Sequence, residues 1–477
     1  MKSLIIFLVV VMVAGPGCSP GNQNTTDKSR EAGIIRPYPE NPRYWEYKGE
    51  PVLLLGGSKD DNLFQDEDIE AHLDELQAIG GNYIRNTLSA RDSGNVVRFL
   101  KQADGKYDLD QWNPEYWRRF ENMLELTSER NIIVQLEIWD RFDYSRESWI
   151  VSPWNPGNNV NYTEEETGLA QIYPDHPGRD KQPFFHSVPG MRDYTDKLDK
   201  VRSYQEKYII KLLSYSLYFG NVLYCMDNET STPPEWGRYW MAFIDSISDE
   251  KGKQVYMTDM FDQFYTPQTC PSCLQVLENP DLYTFIDVSQ INSRNFDQSH
   301  WDTLQWIIRA REKFPLRPVN NTKVYGGGNS TWGSGSNEDG VERFCRNVMG
   351  GCASARHHRP NTGNGLNDKS KASIKALRKV ETLVKLWEVA PRMDLLSQRE
   401  SDEAYLSAEE GEKYILYFTQ GGAVNLDLKP YDKSYHLNWI SVSSGEWGGE
   451  AAFRGGTSRE ITAPDQGGWF AVIKRDL

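Results

Sequence analysis

The sequence predicts an α/β protein in which a (β/α)8 TIM barrel is followed by a small antiparallel β-sandwich. Strand-length apolar segments alternate eight times with segments of helical apolar spacing, over about 340 of the 477 residues. Parallel strands need crossover helices, and eight such units close into a barrel filled with side chains. Beyond that region, short alternating strands follow one another through Gly-rich turns without helices between them, which is typical of a sandwich.

The barrel prediction depends on the order of its elements along the chain. After the first predicted strand, Ile69, Leu73 and Leu76 recur at helical spacing, and the same alternation continues to the eighth strand. A doubly wound open sheet is the competing fold, but no G-x-G-x-x-G motif follows an early strand. The predicted barrel strands are residues 52–55, 83–87, 132–136, 222–224, 254–257, 285–288, 317–320 and 351–354.

The sequence pattern of the last part of the chain predicts a separate module. We expect the barrel to occupy residues 36–392 and the sandwich residues 393–477. In the sandwich region, apolar and polar residues alternate with a period of two, as in half-buried strands. The predicted strands there are residues 404–406, 414–418, 423–428, 435–440 and 469–473.

The N-terminal residues indicate export. Lys2 precedes an apolar run at residues 4–14, and small residues lead to Cys18, a layout that resembles a bacterial lipoprotein signal. We therefore expect residues 1–18 to be a signal peptide and Cys18 to carry a lipid. Residues 19–35 would be a flexible polar tether. The mature protein would be anchored to the bacterial outer membrane through Cys18, or be periplasmic.

Composition excludes several partners. A net charge of −15 opposes binding to phosphate backbones, so we expect no nucleic-acid partner, and membrane contact only through the lipid on Cys18. No metal or cofactor is expected. The pair Cys270 and Cys273 has three interpretations: a redox pair, half a zinc site, or a local disulfide. An oxidising compartment favours the disulfide, and zinc has little support without a second C-x-x-C.

The fourth predicted strand ends in the pair Asn228 and Glu229. A carboxylic acid at the C-terminal tip of a buried barrel strand is held rigidly at the mouth of a pocket, where barrel enzymes keep their reactive groups. Glu229 is therefore the first candidate for catalysis. The alternative is a solvated Glu in a loop, because an Asn-Glu dipeptide alone is a weak signal.

These residues support a family resemblance over roughly residues 36–390. The exported barrel with Asn228 and Glu229 after its fourth strand resembles the clan of (β/α)8 retaining glycoside hydrolases, including the apiosidase-like enzymes. The resemblance implies that Glu229 is the general acid/base and that Asn228 contacts a sugar hydroxyl. Arg85 would lie beneath the site and hold a carboxylate ionised, or be a structural ion-pair residue.

The sandwich region also resembles a known module. Residues 414–418, 424–428 and 469–472, with Asn438 and Trp439, are similar to a module that often follows such barrels and whose family is named for collagen binding. That family name is not evidence of collagen binding here. We expect the module to pack against the barrel or to contact glycan.

The second carboxylate departs from the clan's pattern. Lys323 stands where the clan has its nucleophilic Glu after the seventh strand, and an ammonium group cannot act as that nucleophile. Three explanations remain open: another strand supplies the acid, the inferred alignment is shifted, or the barrel binds glycan without cleaving it. The candidates for a replacement are Glu137 and Asp140 after strand three, then Asp259 after strand five and Asp287 near strand six.

Further residues are predicted to form the rim of the site. Basic side chains on an acidic protein suggest that the substrate carries acidic sugars or sulfate. The insertion at residues 144–200 is rich in aromatic residues and is either a lid lined with stacking rings or a structural clasp. The predicted substrate-binding residues, besides Arg85 and Asn228, are Trp139, Lys323, Tyr325, Arg356, His357 and His358.

Together these observations predict a glycoside hydrolase that cleaves O-glycosidic bonds of a polysaccharide or oligosaccharide, with Glu229 as general acid/base. Catalytic partners would be Glu137 or Asp140. The alternative is a catalytically inactive glycan-binding barrel, because of Lys323. A collagen adhesin is a distant third hypothesis.

Overall fold

The computed structural model describes residues 33–179, 181–265, 267–327 and 333–476. They form a barrel of parallel strands followed by two antiparallel sheets, which confirms the predicted fold class. The predicted signal peptide, Cys18 and most of the predicted tether lie outside the described residues.

Eight strands make up the barrel. A six-stranded parallel sheet and a two-stranded parallel sheet lie side by side and are joined at both edges. The Thr284 amide donates to the Met257 carbonyl at 2.9 Å, and the Ala353 amide donates to the Val319 carbonyl at 2.8 Å, so the barrel is closed. The strands are β1 (Leu54–Gly57), β2 (Tyr83–Thr87), β3 (Ile133–Asp140), β4 (Val222–Asn228), β5 (Met257–Thr258), β6 (Ile286–Asp287), β7 (Val319–Asn320) and β8 (Ser354–His357).

Strand β1 begins and ends two residues later than predicted. The apolar run suggested residues 52–55, but the strand ends on Gly56 and Gly57. A Cβ on Gly56 would lie 1.8 Å from the Tyr83 carbonyl oxygen. The neighbouring strand therefore approaches so closely that only glycine fits, and glycine gives no hydrophobic signal.

Strand β8 lies three residues after its predicted position at 351–354. Gly351 has a φ of 94° and belongs to the turn that ends the preceding helix. The Cys352 amide donates to the Asn347 carbonyl at 3.0 Å, which completes that turn. Gly351 and Cys352, which suggested an early strand, therefore belong to the C-terminal cap of the helix.

Helices cover the outside of the barrel. Helix α2 starts at a cap in which the Asn113 side chain accepts from the Glu115 amide at 3.1 Å, with Pro114 in the first turn. No helix within the described ranges is long and apolar enough to cross a membrane. The helices are α1 (Ile69–Ala78), α2 (Pro114–Glu129), α3 (Arg146–Val151), α4 (Glu164–Thr167), α5 (Leu198–Ser216), α6 (Glu235–Glu250), α7 (Pro271–Glu278), α8 (Asp297–Arg311), α9 (Asn337–Met349) and α10 (Asp368–Leu383).

Two small antiparallel sheets lie outside the barrel ladder. The first precedes β1 and places the Trp45 ring against Tyr256 and Phe285, while the Trp45 indole N–H donates to the Asn320 side chain at 2.8 Å. It therefore closes the barrel floor. The strands of the two sheets are Arg36–Pro37, Trp45–Tyr47 and Glu50–Val52 in the first, and Phe99–Lys101 and Tyr107–Trp112 in the second.

The C-terminal module contains a six-stranded sheet and a three-stranded sheet. The sheet orders are β9-β11-β12-β17-β14-β15 and β10-β13-β16, and buried side chains of both sheets form a common core. Four of the strands were not predicted: β9 and β10 are only two residues long, and most residues of β15 and β16 are exposed. The strands are β9 (Ala390–Pro391), β10 (Leu396–Ser397), β11 (Ala404–Glu409), β12 (Lys413–Phe418), β13 (Ala423–Asp427), β14 (Ser434–Ser441), β15 (Trp447–Arg454), β16 (Ser458–Thr462) and β17 (Trp469–Arg475).

This module packs against the barrel. Tyr414, Leu416 and Phe418 of β12 face the sandwich core, whereas Ile415 and Tyr417 belong to the core of the barrel. That explains the continuous apolar run at 414–418. The expectation that the module packs on the barrel is thus confirmed, whereas the division of the chain near residue 392 stays a prediction.

The Cys270–Cys273 pair forms a local disulfide at the start of α7. Of the three interpretations, the structure therefore shows the local disulfide. Cys225, Cys345 and Cys352 are buried free thiols, so Cys345 and Cys352 do not pair.

Candidate active site at the mouth of the barrel

A cavity of about 390 Å³ opens at the C-terminal ends of the barrel strands. This is the end of a (β/α)8 barrel at which active sites are found. Among the described residues, its charged lining consists of seven cationic side chains and three acidic ones, so the cavity is basic although the protein is acidic. These are Arg85, Arg91, Arg141, Arg146, Arg294, Lys323 and Arg359, with Asp61, Glu229 and Asp262.

Glu229 lies in this cavity directly after β4. Its backbone is in the left-handed region with a φ of 58°, a strained conformation that is concentrated at functional sites. Its Oε1 accepts from the Lys323 ammonium at 2.5 Å and from the Tyr325 hydroxyl at 2.8 Å. Glu229 is therefore fixed within the cavity and is not a solvated loop residue.

The surroundings of Glu229 keep it ionised. Burial by itself would raise the pKa of Glu229, but Lys323, and after it Arg141, outweigh burial and hold the pKa well below its ordinary value. A carboxyl with a lowered pKa has no proton to give at neutral pH. Glu229 is thus suited to stabilise or attack a positive centre, and poorly suited to the predicted role of general acid.

The structure supplies a second carboxylate that the sequence analysis missed. Asp262 lines the cavity next to Glu229 and is about one-third exposed. Thr230 and Phe261 pair as a bridge beyond β4 and β5, and the Asp262 amide donates to the Thr230 carbonyl at 3.0 Å. The tips of two neighbouring strands therefore bring Glu229 and Asp262 together.

One guanidinium fixes the spacing of the two acids. The Arg141 Nη2 lies 4.0 Å from the Glu229 Oε2 and 2.8 Å from the Asp262 Oδ2. These oxygens are therefore no more than about 6.8 Å apart, the sum of those two distances. Retaining glycosidases hold their carboxyls about 5 Å apart and inverting ones about 6.5–9.5 Å apart, so the bound on this pair of oxygens includes the retaining spacing.

The predicted partner acids lie outside the cavity wall. Glu137 is fully buried and bonds to the Arg85 Nε at 2.6 Å. Asp140 forms an ion pair with Arg91 and accepts from the Asn228 side-chain Nδ2 at 3.1 Å. Neither acid is among the cavity-lining residues. Their geometry is that of structural ion pairs, and their predicted catalytic roles stay predictions.

Trp139 lies in the core and not in the cavity. The ring is fully buried against Tyr208, Phe184, Trp236 and Trp240, with centroid distances between 5.1 and 5.8 Å. The predicted contact between Trp139 and substrate is therefore not supported by its position. Tyr208 lies on α5, and Trp236 and Trp240 lie on α6, so Trp139 packs against the helices that cover β3.

Arg85 and Asn228 do line the cavity. Asn228 accepts from the Lys323 ammonium at 2.9 Å, so it helps to position the cation beside Glu229. Arg85 bonds to Asp61 at 2.5 Å as well as to Glu137, and these three side chains are almost entirely buried. Burial raises the pKa of both acids and Arg85 opposes this effect, so that the pKa of Asp61 is lowered while that of Glu137 stays raised. Glu229 is not a partner of Arg85.

Of the three predicted residues in β8 and directly after it, one lines the cavity. His358 lines the cavity, with its ring 4.8 Å from that of Tyr325, and burial lowers its pKa well below the ordinary value. Arg356 is buried and donates to the Thr322 carbonyl and the Ser58 hydroxyl. His357 points the other way, stacks on Phe344 and bonds to the Ser373 hydroxyl at 3.0 Å.

The insertion after β3 covers one side of the cavity. Arg146, Ser148 and His176 contribute to the lining, and the Ser231 hydroxyl donates to the Pro177 carbonyl at 3.3 Å. Most of the aromatic rings of the insertion are buried instead. The hypothesis of stacking rings on a lid is therefore wrong for its buried rings, which form a structural clasp: Trp149, Trp154, Phe184 and Phe185.

A group of acids outside the cavity could be considered for a metal. Asp297, Glu342 and Asp402 each place an oxygen within 4.8 Å of the others. The Arg346 guanidinium lies 2.8 Å from Asp402 and 3.3 Å from Glu342, so their charge is already compensated. None of the three lines the cavity.

A buried pair of acids, Asp227 and Asp259, lies beneath the site and makes stability depend on pH. Burial raises the pKa of Asp259 to about 7, and burial with the Asp259 charge raises that of Asp227. The pKa is higher in the folded protein than in the unfolded chain, where it is about 4. The protonated acids therefore contribute their full stability below about pH 4, and that contribution is lost as the pH rises through about 7. The two acids are wholly buried.

We therefore expect Asp259→Asn to flatten the pH dependence of unfolding. The Asn oxygen can still accept from the Asp227 and Met260 amides, which bond to Asp259 at 3.1 and 2.9 Å. Between pH 5 and 7, the free energy of unfolding of the wild type should fall relative to the variant by up to about 1.4 kcal/mol per pH unit. Urea unfolding at constant ionic strength measures this. Parallel curves for the two proteins would contradict it.

Comparison with known proteins agrees with the barrel and leaves its activity open. Residues 96–291 match the model of a family described as a domain of unknown function (DUF6298). No curated protein matches the chain at a significant level. The matched residues run from the region before α2 to β6, and they include both Glu229 and Asp262.

Solved structures show what fold the chain has. It is similar to a glycoside hydrolase family 5 protein from Bacteroides vulgatus ATCC 8482, with a TM-score of 0.61, 13% identity and coverage of 94% of both chains. It is also similar to a structure described as a glycoside hydrolase, with a TM-score of 0.61 and 14% identity over 94% of this chain and 98% of that one. The chain therefore has the TIM-barrel fold of these glycoside hydrolases. The resemblance to apiosidase-like enzymes and to the collagen-named module stays a prediction.

Proposed function

We propose that the protein is a glycosidase that cleaves O-glycosidic bonds of a polysaccharide or oligosaccharide in the cavity at the barrel mouth. The observation that carries this proposal is the pair Glu229 and Asp262, two carboxylates on adjacent strand tips that share Arg141 and are at most about 6.8 Å apart. The TIM-barrel fold of known glycoside hydrolases supports it.

We infer the two roles from the ionised state of Glu229, which leaves the role of acid/base to Asp262. Glu229 is the ionised carboxylate that attacks the anomeric carbon, and Asp262 gives its proton to the departing glycosidic oxygen. Asp262 then takes a proton from a water molecule, which attacks the same carbon and releases the sugar from Glu229. Glu229 was predicted to be the general acid/base. That role now passes to Asp262, because the lowered pKa of Glu229 favours its ionised form.

Lys323 fits this assignment although it cannot be a nucleophile. Its ammonium bonds to Glu229 at 2.5 Å and to Asn228 at 2.9 Å, and so it holds the reactive carboxylate ionised and oriented. Tyr325 donates to the same Glu229 oxygen at 2.8 Å. Both side chains are buried, which fixes their positions.

A second function is favoured by the same ion pair. A carboxylate bound by Lys323 could be inert, and the barrel would then bind glycan without cleaving it. The two functions differ in one measurement, because a glycosidase releases reducing ends from a glycan that it binds, whereas a silent barrel binds the glycan and leaves it intact.

We expect Asp262→Asn to lower the hydrolysis rate by about 100-fold to 10,000-fold at neutral pH, since the proton donor is removed. Activated aryl glycosides, whose leaving groups need no proton, should lose much less. The measurement is the release of reducing ends and of the aryl group by wild type and variant. Asp302→Asn, on helix α8 and outside the cavity lining, is the control and should match the wild type. Equal turnover by Asp262→Asn and wild type on natural glycans would contradict the assignment.

Location and substrate charge are part of the proposal. Export, with a lipid on Cys18 at the outer membrane or a periplasmic form, remains supported by the N-terminal sequence alone. The glycan is proposed to carry acidic sugars or sulfate, because the charged lining of the cavity is mostly cationic among the described residues.

A further inference from the structure

We propose that Arg141 is the centre of an anion subsite that binds a carboxylate or sulfate carried by the glycan. The inference rests on the proposed function for the placement of the sugar next to Glu229. It adds the residue that selects the substrate by its charge.

The guanidinium of Arg141 is only partly satisfied by the protein. Its Nη2 bonds to Asp262 at 2.8 Å, while its Nε and Nη1 have no hydrogen-bond partner among the described residues. Arg141 is 2% exposed and lines the cavity. Unsatisfied N–H groups on a buried cation are costly, and an anion in the cavity would satisfy them.

The position of Arg141 is fixed by its surroundings. The Asp140 side chain accepts from the Phe142 amide at 3.1 Å and starts the short 3-10 turn Arg141–Tyr144. The Gln182 side chain donates to the Arg141 carbonyl at 3.2 Å, and the guanidinium lies 5.1 Å from the centre of the Phe142 ring. A group held in this way is organised before a ligand arrives, which is required for selective binding.

The charge around Arg141 has the sign that an anion needs. Arg146 and Arg294 line the same cavity with exposed side chains. The described lining has seven cations and three acids, on a chain with a net charge of −15. A general surface property of the protein would have the opposite sign, so the basic cavity is a local feature.

The chemistry of the subsite selects charged over neutral sugars. Arginine bonds to carboxylates and sulfates through charge-assisted hydrogen bonds, which are about twice as strong as neutral ones. A neutral sugar could not form such charge-assisted bonds with the Nε and Nη1 of Arg141, which have no partner among the described residues. A uronic acid and a sulfate ester offer the same anionic oxygens, and the experiment separates these two sources.

The test is equilibrium binding of matched glycans by the full chain carrying Glu229→Gln, which prevents cleavage. Polygalacturonate is compared with its methyl ester, and a sulfated galactan with its desulfated form. We expect at least about tenfold tighter binding of the charged member of one pair, and that pair identifies the anion. Equal affinity within both pairs overturns the proposal. Hydrolysis by the wild type is measured separately, so a failed subsite and a failed glycosidase give different results.

Variants in the same background assign the preference to Arg141. Arg141→Gln should bind charged and neutral members equally, whereas Arg118→Gln, an exposed position on α2, should keep the full preference. An unchanged preference in Arg141→Gln overturns the proposal. If Arg141→Gln does not fold, as judged by thermal unfolding, Arg146→Gln decides: a preference lowered severalfold supports the subsite, and an unchanged preference overturns it.

Discussion

Glu229→Gln is expected to lower the rate of glycan hydrolysis by about 100-fold to 10,000-fold while binding is retained. The Gln oxygen can still accept from Lys323 and Tyr325, which bond to the Glu229 Oε1 at 2.5 and 2.8 Å, so the cavity keeps its shape. What is lost is the negative charge that faces the anomeric carbon. Reducing-end release and glycan affinity, measured on the same preparation, check both halves of the expectation.

The control for this variant is Glu235→Gln. Glu235 is a half-exposed residue in the first turn of α6, six residues along the chain. The Glu235→Gln variant loses the same charge, but at a position outside the cavity lining. Its hydrolysis rate should equal that of the wild type. Full activity in Glu229→Gln, or equal losses in both variants, would be incompatible with a reactive carboxylate at position 229.

The largest effect on stability is expected for Arg85→Met. Arg85 bonds to Glu137 at 2.6 Å and to Asp61 at 2.5 Å, and all three side chains are almost entirely buried. Removing one partner of a buried charge network leaves uncompensated charges, which costs about 3–5 kcal/mol of unfolding free energy. Urea unfolding at pH 7 measures the loss.

A second substitution shows whether the charge is the cause. In Arg85→Met combined with Glu137→Gln, the buried carboxylate is neutral, so part of the lost stability should return. Burial already raises the pKa of Glu137 against the opposing effect of Arg85, so Glu137 would take up a proton when Arg85 is absent. If Arg85→Met lowers the free energy of unfolding by less than about 1 kcal/mol, the buried charge network is not what stabilises the region beneath the site.

The fold was predictable because its signals are local and periodic. Apolar runs of strand length, each followed by helical spacing, located the eight strands. Strands β3 and β4 end four residues later than predicted and β5 begins three residues later, while β1 and β8 are shifted as a whole. The shifts of β1 and β8 have physical causes that hydrophobicity does not encode. Gly56 belongs to β1 because a neighbouring carbonyl lies where a side chain would be, and Gly351 belongs to a helix cap.

The site was predictable only where one strand tip determines it. Glu229 follows directly from β4, and Lys323 and Tyr325 lie beside it. Asp262 was missed because it comes three residues after the predicted candidate Asp259, beyond a bridge that extends the strands. Asp259 itself is buried.

The cationic residues of the site were missed for a related reason. Arg141 follows β3 directly, but its importance depends on contacts with Asp262 and Glu229, which are distant in the sequence. A long insertion brings Arg146 and His176 to the same cavity. Periodicity predicts which face a residue occupies, and it does not predict which loops converge.

Rescue by azide tests most directly whether Glu229 and Asp262 are the catalytic pair, in the assigned roles. In Glu229→Ala, azide takes the place of the lost carboxylate, and the account predicts a glycosyl azide of inverted anomeric configuration. In Asp262→Ala, azide attacks the sugar bound to Glu229, and the account predicts a glycosyl azide of retained configuration. The reverse pattern would contradict the assigned roles. So would the absence of rescue in both variants, provided that the wild type hydrolyses glycan.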